Sequence, residues 1–228
     1  MRDYLIKEIF LSIQGEGPSV GKSAVFVRFS GCNLSCRFCD TDHEVGDSYT
    51  LQEVINELHV AVGSTDVPKD LLCVFTGGEP LLQLDLDLVQ AVKAEGFRTS
   101  IETNGSLVAV AGRGEHFFEE LYSSLDEVVV SPKGSVPLES LEYATCLKVL
   151  WPLPEFLTVL GVAEMSNHLA LKRDCAPEYI LQPITEVVGS GRAPIGTTSV
   201  AGRAYEWFRA SGKHWRVIPQ THVLMGLR

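Results

Sequence analysis

Residues 22–42 read KSAVFVRFSGCNLSCRFCDTD. The first ten, 22–31, are mostly apolar, with β-branched and aromatic residues, and predict a strand. Cys32, Cys36 and Cys39 follow at once, within eight residues of one another. Three thiolates in one loop can bind a single inorganic centre. Because structural zinc requires four ligands, and an iron–sulfur cluster usually takes four cysteines, a set of three leaves one position open for another molecule.

The rest of the chain alternates short apolar runs with amphipathic stretches. This alternation predicts βαβ units and a mainly parallel sheet. About six such units are too few for a complete eight-stranded barrel, so we predict an α/β fold of the partial, open (βα) barrel type, with residues 1–228 in a single domain. The predicted strands after the first are 71–77, 97–103, 126–132, 146–152, 179–183 and 214–220. The predicted helices are 51–62, with a capping box of Thr50 and Glu53, then one carrying Leu84, Leu88, Val89 and Val92, and others near 115–124, 155–165 and 198–211.

Distinctive polar or Gly/Pro sequences follow five of the predicted strands. Cys32 follows the first strand. The strands at 71–77, 97–103, 126–132 and 179–183 end in Gly77–Pro80, Glu102–Gly105, Ser131–Lys133 and Gln182–Pro183, respectively. In parallel α/β sheets, ligands bind at the carboxyl ends of the strands. The sequence therefore predicts one site built from these five strand ends.

Composition narrows the class of protein. The chain has 228 residues and a formal net charge of −10, which disfavours nucleic acid as a partner because an acidic surface repels phosphate. No apolar run is long enough to cross a bilayer, and the N-terminus does not resemble a signal peptide, so we expect no membrane association and a cytoplasmic location. Cys73 and Cys146 lie in apolar strands and are expected to be small core residues.

The cysteine loop alone leaves zinc as a serious alternative, with His43 as a fourth ligand. Together with TGGEP at 76–80, however, the C-x3-C-x2-C loop resembles the radical S-adenosylmethionine superfamily. The resemblance implies that the three cysteines hold a [4Fe–4S] cluster whose open iron binds S-adenosylmethionine. Reduction of the cluster would then yield a 5′-deoxyadenosyl radical, with Phe38 beside the adenine.

Further motifs are more specific. The sequence contains QGEG (14–17), CDT (39–41), ETNG (102–105), SPK (131–133), LQP (181–183) and QTH (220–222). This series, which covers essentially the whole chain, resembles the 7-carboxy-7-deazaguanine synthases. The resemblance implies a lyase that contracts 6-carboxy-5,6,7,8-tetrahydropterin to 7-carboxy-7-deazaguanine with loss of ammonia, in queuosine-type biosynthesis. It also implies Mg²⁺, a homodimer and an electron donor such as flavodoxin.

The same resemblance implies roles for individual residues. Thr41 would bind Mg²⁺, and Glu102 and Asn104 would lie near the cofactor. The substrate would be bound by Ile13, Gln14, Gly15, Glu16, Arg28, Thr76, His222 and the C-terminal Arg228. S-adenosylmethionine would be bound by Phe38, Gly78, Glu79, Ser131, Pro132, Lys133, Gln182, Pro183, Ile184 and Thr185.

Several of these residues also have a plainer interpretation. Arg28 interrupts an apolar strand, where it can clamp the substrate carboxylate, pair with a neighbouring carboxylate or face water on an edge strand. Gln14 and Glu16 can be solvated in a glycine turn, Lys133 can be an ordinary surface lysine, and Thr41 can cap a helix. At the level of function, the alternatives are a radical activase of a glycyl-radical enzyme and a zinc-binding interaction module.

Overall fold

The protein is described by a computed structural model that covers residues 3–107, 116–133, 138–151, 178–184, 187–188, 191–192, 200–211 and 215–227. The predicted helix near 155–165, and also Cys175, Thr185 and Arg228, lie outside the described residues. None of the helices within these ranges could span a bilayer.

A nine-stranded sheet organises the described residues. Its strands are β1 (Asp3–Ile13), β2 (Ser23–Phe29), β3 (Asp47–Thr50), β4 (Leu72–Gly77), β5 (Arg98–Thr103), β6 (Glu127–Val130), β7 (Cys146–Trp151), β8 (Glu178–Pro183) and β11 (Arg216–Val217). A separate hairpin of β9 (Val187–Val188) and β10 (Gly191–Arg192) lies between β8 and β11 in the chain. The helices are α1 (Leu51–Val62), α2 (Leu86–Ala94), α3 (Phe117–Ser124), α4 (Leu138–Glu142), α5 (Val200–Ser211) and α6 (Thr221–Leu224).

The strand order is β11-β8-β7-β6-β5-β4-β2-β1-β3. From β2 to β11 the neighbouring strands are parallel, whereas β1 runs antiparallel to both β2 and β3. The sheet ends at β11 and β3 without closing on itself, which confirms the predicted partial, open barrel.

The two helices α1 and α2 begin at side-chain caps. The predicted capping box is confirmed, because Glu53 N donates to Thr50 Oγ1 at 3.3 Å and Thr50 N donates to Glu53 Oε2 at 2.7 Å. Asp85 caps α2 by accepting a hydrogen bond from Leu88 N at 3.1 Å. Leu84, which the apolar spacing assigned to this helix, therefore precedes it, although its side chain is fully buried.

The two faces of the sheet have different chemistry. Alternate strand residues pack under the helices, as Val27, Phe75 and Ile101 do. The intervening residues point to the opposite, inner face, and near the carboxyl ends of five strands this face carries a polar residue. Arg28 on β2, Thr76 on β4, Glu102 on β5, Lys148 on β7 and Gln182 on β8 all line one cavity there. Cys73 and Cys146 are buried in the core, as predicted.

Candidate active site

One cavity of about 560 Å³ lies at the carboxyl ends of the parallel strands. Its lining includes Cys32, Cys36 and Cys39, and it brings together most residues that the sequence singled out. The predicted substrate residues that line it are Ile13, Gln14, Gly15, Glu16, Arg28, Thr76 and His222. The predicted cofactor and metal residues that line it are Phe38, Thr41, Gly78, Ser131, Lys133, Gln182 and Ile184.

Three predicted cofactor residues, Glu79, Pro132 and Pro183, are not among the lining residues. The Glu79 carboxylate is fully buried and accepts hydrogen bonds from Leu81 N, Thr103 Oγ1 and Asn104 N at 2.7–3.0 Å. Burial raises the pKa of Glu79, although the hydrogen bonds from these three donors act to lower it. Its side chain thus joins the GGEP turn to the turn after β5, and the cavity-facing part of the motif is Gly77 and Gly78.

The cysteine loop is held at both ends by backbone hydrogen bonds. Gly31 N donates to His43 O at 2.8 Å, and Glu79 N donates to Gly31 O at 2.9 Å. A β-carbon at residue 78 would come within 1.9 Å of Gly31 O. Glycine is therefore required at residue 78 so that the GGEP turn can lie directly against the start of the cysteine loop.

The three cysteines have free thiols, of which Cys39 is exposed and the other two are partly buried. Partial burial raises the pKa of the Cys32 thiol, although Leu34 N donates to its sulfur at 3.4 Å. Within the described ranges, no three His, Cys, Asp or Glu side chains converge on a position for one metal ion. The thiols fit a multi-iron cluster better than one zinc ion, because each thiolate would bind a different iron.

Arg28 is paired with a carboxylate on the neighbouring strand. Its Nε donates to Glu8 Oε1 at 2.8 Å, and its guanidinium lies 5.8 Å from the centre of the Phe10 ring. β2 lies between β1 and β4, so the edge-strand interpretation is wrong. Burial lowers the pKa of Arg28, although Glu102, Asp40 and Glu16 favour its charged form. The guanidinium still borders the cavity.

The QGEG motif folds inward and is not a solvated turn. Gln14 is buried, and its Nε2 donates to Glu102 Oε1 at 2.9 Å. Glu16 is paired with Lys148 and accepts from Gln220 Nε2 at 2.8 Å. Burial alone would raise the pKa of Glu16, but Lys148 and Gln220 lower it to about 2.

The chain's tail packs against the same motif. Thr221 N and Oγ1 donate to Gly15 O at 3.0 and 2.9 Å. Gln220 Nε2 donates to Asp40 Oδ2 at 2.9 Å as well as to Glu16, so it joins the tail to the cysteine loop. These contacts place His222 against Gly15, at the cavity wall.

Lys133 and Thr41 also differ from their plainer interpretations. Lys133 is half-buried, donates to Ser131 Oγ at 2.8 Å and lies 5.9 Å from the centre of the Phe38 ring. Burial and the charge of Lys148 lower the pKa of Lys133 to about 8. No helix begins at Thr41 in the described segment 31–46, so it is not a helix cap.

One buried acceptor, the side-chain oxygen of Gln182, lies in the cavity wall. Gln182 Oε1 is buried without a hydrogen bond among the described residues, and Gln182 lines the cavity. Since buried polar groups are nearly always satisfied, this oxygen fits a donor from a bound molecule.

Lys148 and Gln220 are site residues that the sequence analysis did not assign. The signal for Lys148 was present, because a lysine in the apolar run CLKVLW is as unusual as Arg28 in its strand. Gln220 belongs to the QTH motif, but its two carboxylate partners lie 204 and 180 residues away in the chain.

Comparison with known proteins agrees with this geometry. Residues 26–142 match the Radical SAM superfamily. A 7-carboxy-7-deazaguanine synthase from Bordetella pertussis is 35% identical over 98% of this chain and 99% of its own length. One from Methanothermobacter thermautotrophicus is 41% identical over 98% of this chain and 97% of its own. The chain belongs to the 7-carboxy-7-deazaguanine synthase family.

A solved structure supports the fold of this family member. The crystal structure of QueE from Escherichia coli superposes with a TM-score of 0.69 at 23% identity, over 96% of this chain and 95% of that one. Membership in the radical S-adenosylmethionine superfamily confirms the family prediction from the motifs. It also removes the zinc-binding module as the account of the three cysteines.

Proposed function

We propose that this 7-carboxy-7-deazaguanine synthase family member converts 6-carboxy-5,6,7,8-tetrahydropterin to 7-carboxy-7-deazaguanine, with release of ammonia, for queuosine-type biosynthesis. The observation that carries the proposal is that the three thiols and the polar residues of QGEG border one cavity. S-adenosylmethionine held at the cluster would then lie beside the substrate, as hydrogen abstraction requires.

Cys32, Cys36 and Cys39 would hold the [4Fe–4S] cluster, and the adjoining wall of Gly78, Ser131, Lys133 and Gln182 would hold S-adenosylmethionine. The fit rests on three free thiols bordering one cavity and on the Gln182 oxygen, which has no hydrogen bond from the part of the chain that the structure describes. When bound, the pair supplies one-electron cleavage of S-adenosylmethionine and hence hydrogen-atom abstraction from the substrate. The protein's own part is to aim the substrate and exclude water.

The substrate would lie between Arg28 and the QGEG motif. Arg28 is the cavity cation best placed for a carboxylate, because a guanidinium binds one with two parallel hydrogen bonds. Glu16, Gln14 and His222 would then contact the pyrimidine edge of the pterin. Arg228, which follows the cavity residue Leu227 in the chain, would also contact the substrate.

Mg²⁺, an electron donor and a second subunit complete the proposal. Thr41 would bind Mg²⁺ through Oγ1, together with the substrate carboxylate and water, because Mg²⁺ prefers oxygen ligands and retains several waters. A flavodoxin-type protein would reduce the cluster, and the chain would work as a homodimer of single-domain subunits.

Metal analysis and a substrate test check the proposal. Protein purified without oxygen should contain about four iron and four sulfide per chain. Zinc near one per chain without sulfide would contradict it. The runner-up radical activase is tested by comparing carboxytetrahydropterin with a glycyl-radical enzyme as substrate. Consumption of the pterin, absent in Cys32→Ala, supports the synthase.

A further inference from the structure

Lys148 is a buried cation at the centre of the cavity wall. Its side chain is 5% exposed, and Nζ contacts both Glu16 Oε2 and, at 3.1 Å, Glu102 Oε2. These partners lie 132 and 46 residues away in the chain. One ammonium group thus connects the QGEG loop, β5 and β7.

Lys148 contacts both carboxylates directly. Lys133 donates to Ser131 Oγ, and Arg28 Nε pairs with Glu8, whereas Lys148 contacts both Glu16 and Glu102. Among the described residues, Arg28, Lys133 and His222 also act on Glu16 from neighbouring elements, and Asp40 faces Arg28 and accepts a hydrogen bond from Gln220. Burial acts against the charged form of Glu16, and Lys148 is the largest influence that favours it, so loss of Lys148 would favour protonated Glu16.

The carboxylates in turn orient two amides. Glu102 Oε1 accepts from Gln14 Nε2, and Glu16 Oε1 accepts from Gln220 Nε2 at 2.8 Å. Gln14 Oε1 then accepts from Glu16 N at 3.1 Å. Because an ionised carboxylate only accepts hydrogen bonds, an ionised Glu16 fixes which end of the Gln220 amide faces it.

We propose that Lys148 is a positioning residue for the pterin, because it holds Glu16 and Glu102 as a fixed pair of carboxylates, so that Glu16 presents only acceptors to the substrate. The inference rests on the proposed function. The pyrimidine edge of a pterin carries N–H donors at its 2-amino group and N3. A protonated Glu16 would place a donor against them and leave buried groups unpaired, which is the strongest form of discrimination available to a binding site.

The first test measures ionisation without any ligand. Protein labelled with ¹³C at glutamate side-chain carboxyl groups is titrated between pH 5 and 8, and Glu16→Gln assigns the Glu16 signal. In the wild type that signal should stay at the ionised position throughout. In Lys148→Met it should titrate within this range, and in Lys148→Arg it should again stay ionised. Lys93→Met is the matched control, because Lys93 also pairs with a carboxylate, Asp126 at 3.1 Å, but is not among the cavity residues.

The second test measures binding of 6-carboxypterin, a redox-inert fluorescent probe with the same pyrimidine edge and carboxylate. Wild-type affinity should be flat between pH 6 and 8. Lys148→Met should bind at least about tenfold more weakly and regain affinity as the pH rises and Glu16 ionises. Lys148→Arg and Lys93→Met should behave like the wild type.

The two tests separate the inference from the proposed function. A wild-type Glu16 signal that titrates between pH 5 and 8 would overturn the inference even if Lys148→Met did not fold. Equal, pH-independent probe binding by wild type and Lys148→Met would also overturn it and leave the proposed function intact. Failure of the wild type to bind the probe would instead count against the pterin site itself, whatever the titration gives.

Discussion

The imidazole of His222 lies directly against Gly15, so that a β-carbon on residue 15 would come within 1.9 Å of His222 Nδ1. The tail hydrogen bonds from Thr221 to Gly15 O keep the two residues together. The last segment of the described chain is thereby part of the wall that contains QGEG.

Gly15→Ala should therefore push His222 away from the wall and weaken binding of the pterin. Overpacking of this kind costs about 1–3 kcal/mol in the free energy of unfolding, measured by denaturant titration. The double variant Gly15→Ala/His222→Gly removes all three His222 side-chain atoms that a β-carbon on residue 15 would meet, the His222 β-carbon at 2.8 Å included, and should recover part of that stability. A single Gly15→Ala variant as stable as the wild type would show that the tail does not pack as described.

Arg28→Ala should reduce affinity for 6-carboxypterin by about tenfold or more, because a buried charge-assisted pair with the ligand carboxylate is lost. Binding is measured by fluorescence titration. Arg98→Ala is the control, since Arg98 also lies near a carboxylate, Glu127 at 3.5 Å, but is not among the residues that line the cavity. An unchanged dissociation constant for Arg28→Ala would remove the carboxylate clamp from the proposal.

Glu79→Gln should destabilise the fold by about 1–3 kcal/mol, because an amide cannot accept from all three buried donors and its NH₂ group would face one of them. Chemical unfolding measures this cost. The iron content after anaerobic reconstitution should also fall, since the GGEP turn supports the start of the cysteine loop. Glu95→Gln is the control, because the Glu95 side chain is partly exposed. Equal losses of unfolding free energy and iron content in the two variants would contradict the role of Glu79 as a buried acceptor.

Lys133 should react unusually fast with amine reagents near neutral pH. Its pKa of about 8 lies below the ordinary lysine value of about 10.4. The fraction of Lys133 in the neutral, nucleophilic form therefore increases as the pH rises through 8. Acetylation rates at pH 8, read by mass spectrometry of peptides, should be higher at Lys133 than at the exposed Lys69. Lys148→Met removes a neighbouring positive charge and should slow labelling of Lys133. Slower acetylation of Lys133 than of Lys69, or faster labelling of Lys133 in Lys148→Met, would contradict the lowered pKa of Lys133.

Much of the fold follows from the sequence because the central parallel strands are short apolar runs. The antiparallel β1 and β3 were not predicted, since residues 3–13 mix charged and apolar positions without a fully buried face. Their pairing with β2 depends on register between distant segments, as in the contact of Glu8 with Arg28.

The site was predictable to the extent that it is written in local motifs. Cys32, Gly78 and Glu16 could be assigned from short patterns, and they border the cavity. The ion pair of Lys148 with Glu16 and Glu102 could not be assigned, because it joins three segments separated by up to 132 residues. The burial of Glu79 behind the GGEP turn likewise depends on β5, which supplies Thr103.

Product formation tests the central claim most directly. Anaerobically reconstituted protein is incubated with S-adenosylmethionine, Mg²⁺, reductant and 6-carboxy-5,6,7,8-tetrahydropterin, and 7-carboxy-7-deazaguanine is measured by mass spectrometry. The account predicts one 7-carboxy-7-deazaguanine and one ammonia per pterin consumed, and none with Cys32→Ala. No product from protein that holds four iron and four sulfide, or undiminished product from Cys32→Ala, would contradict it.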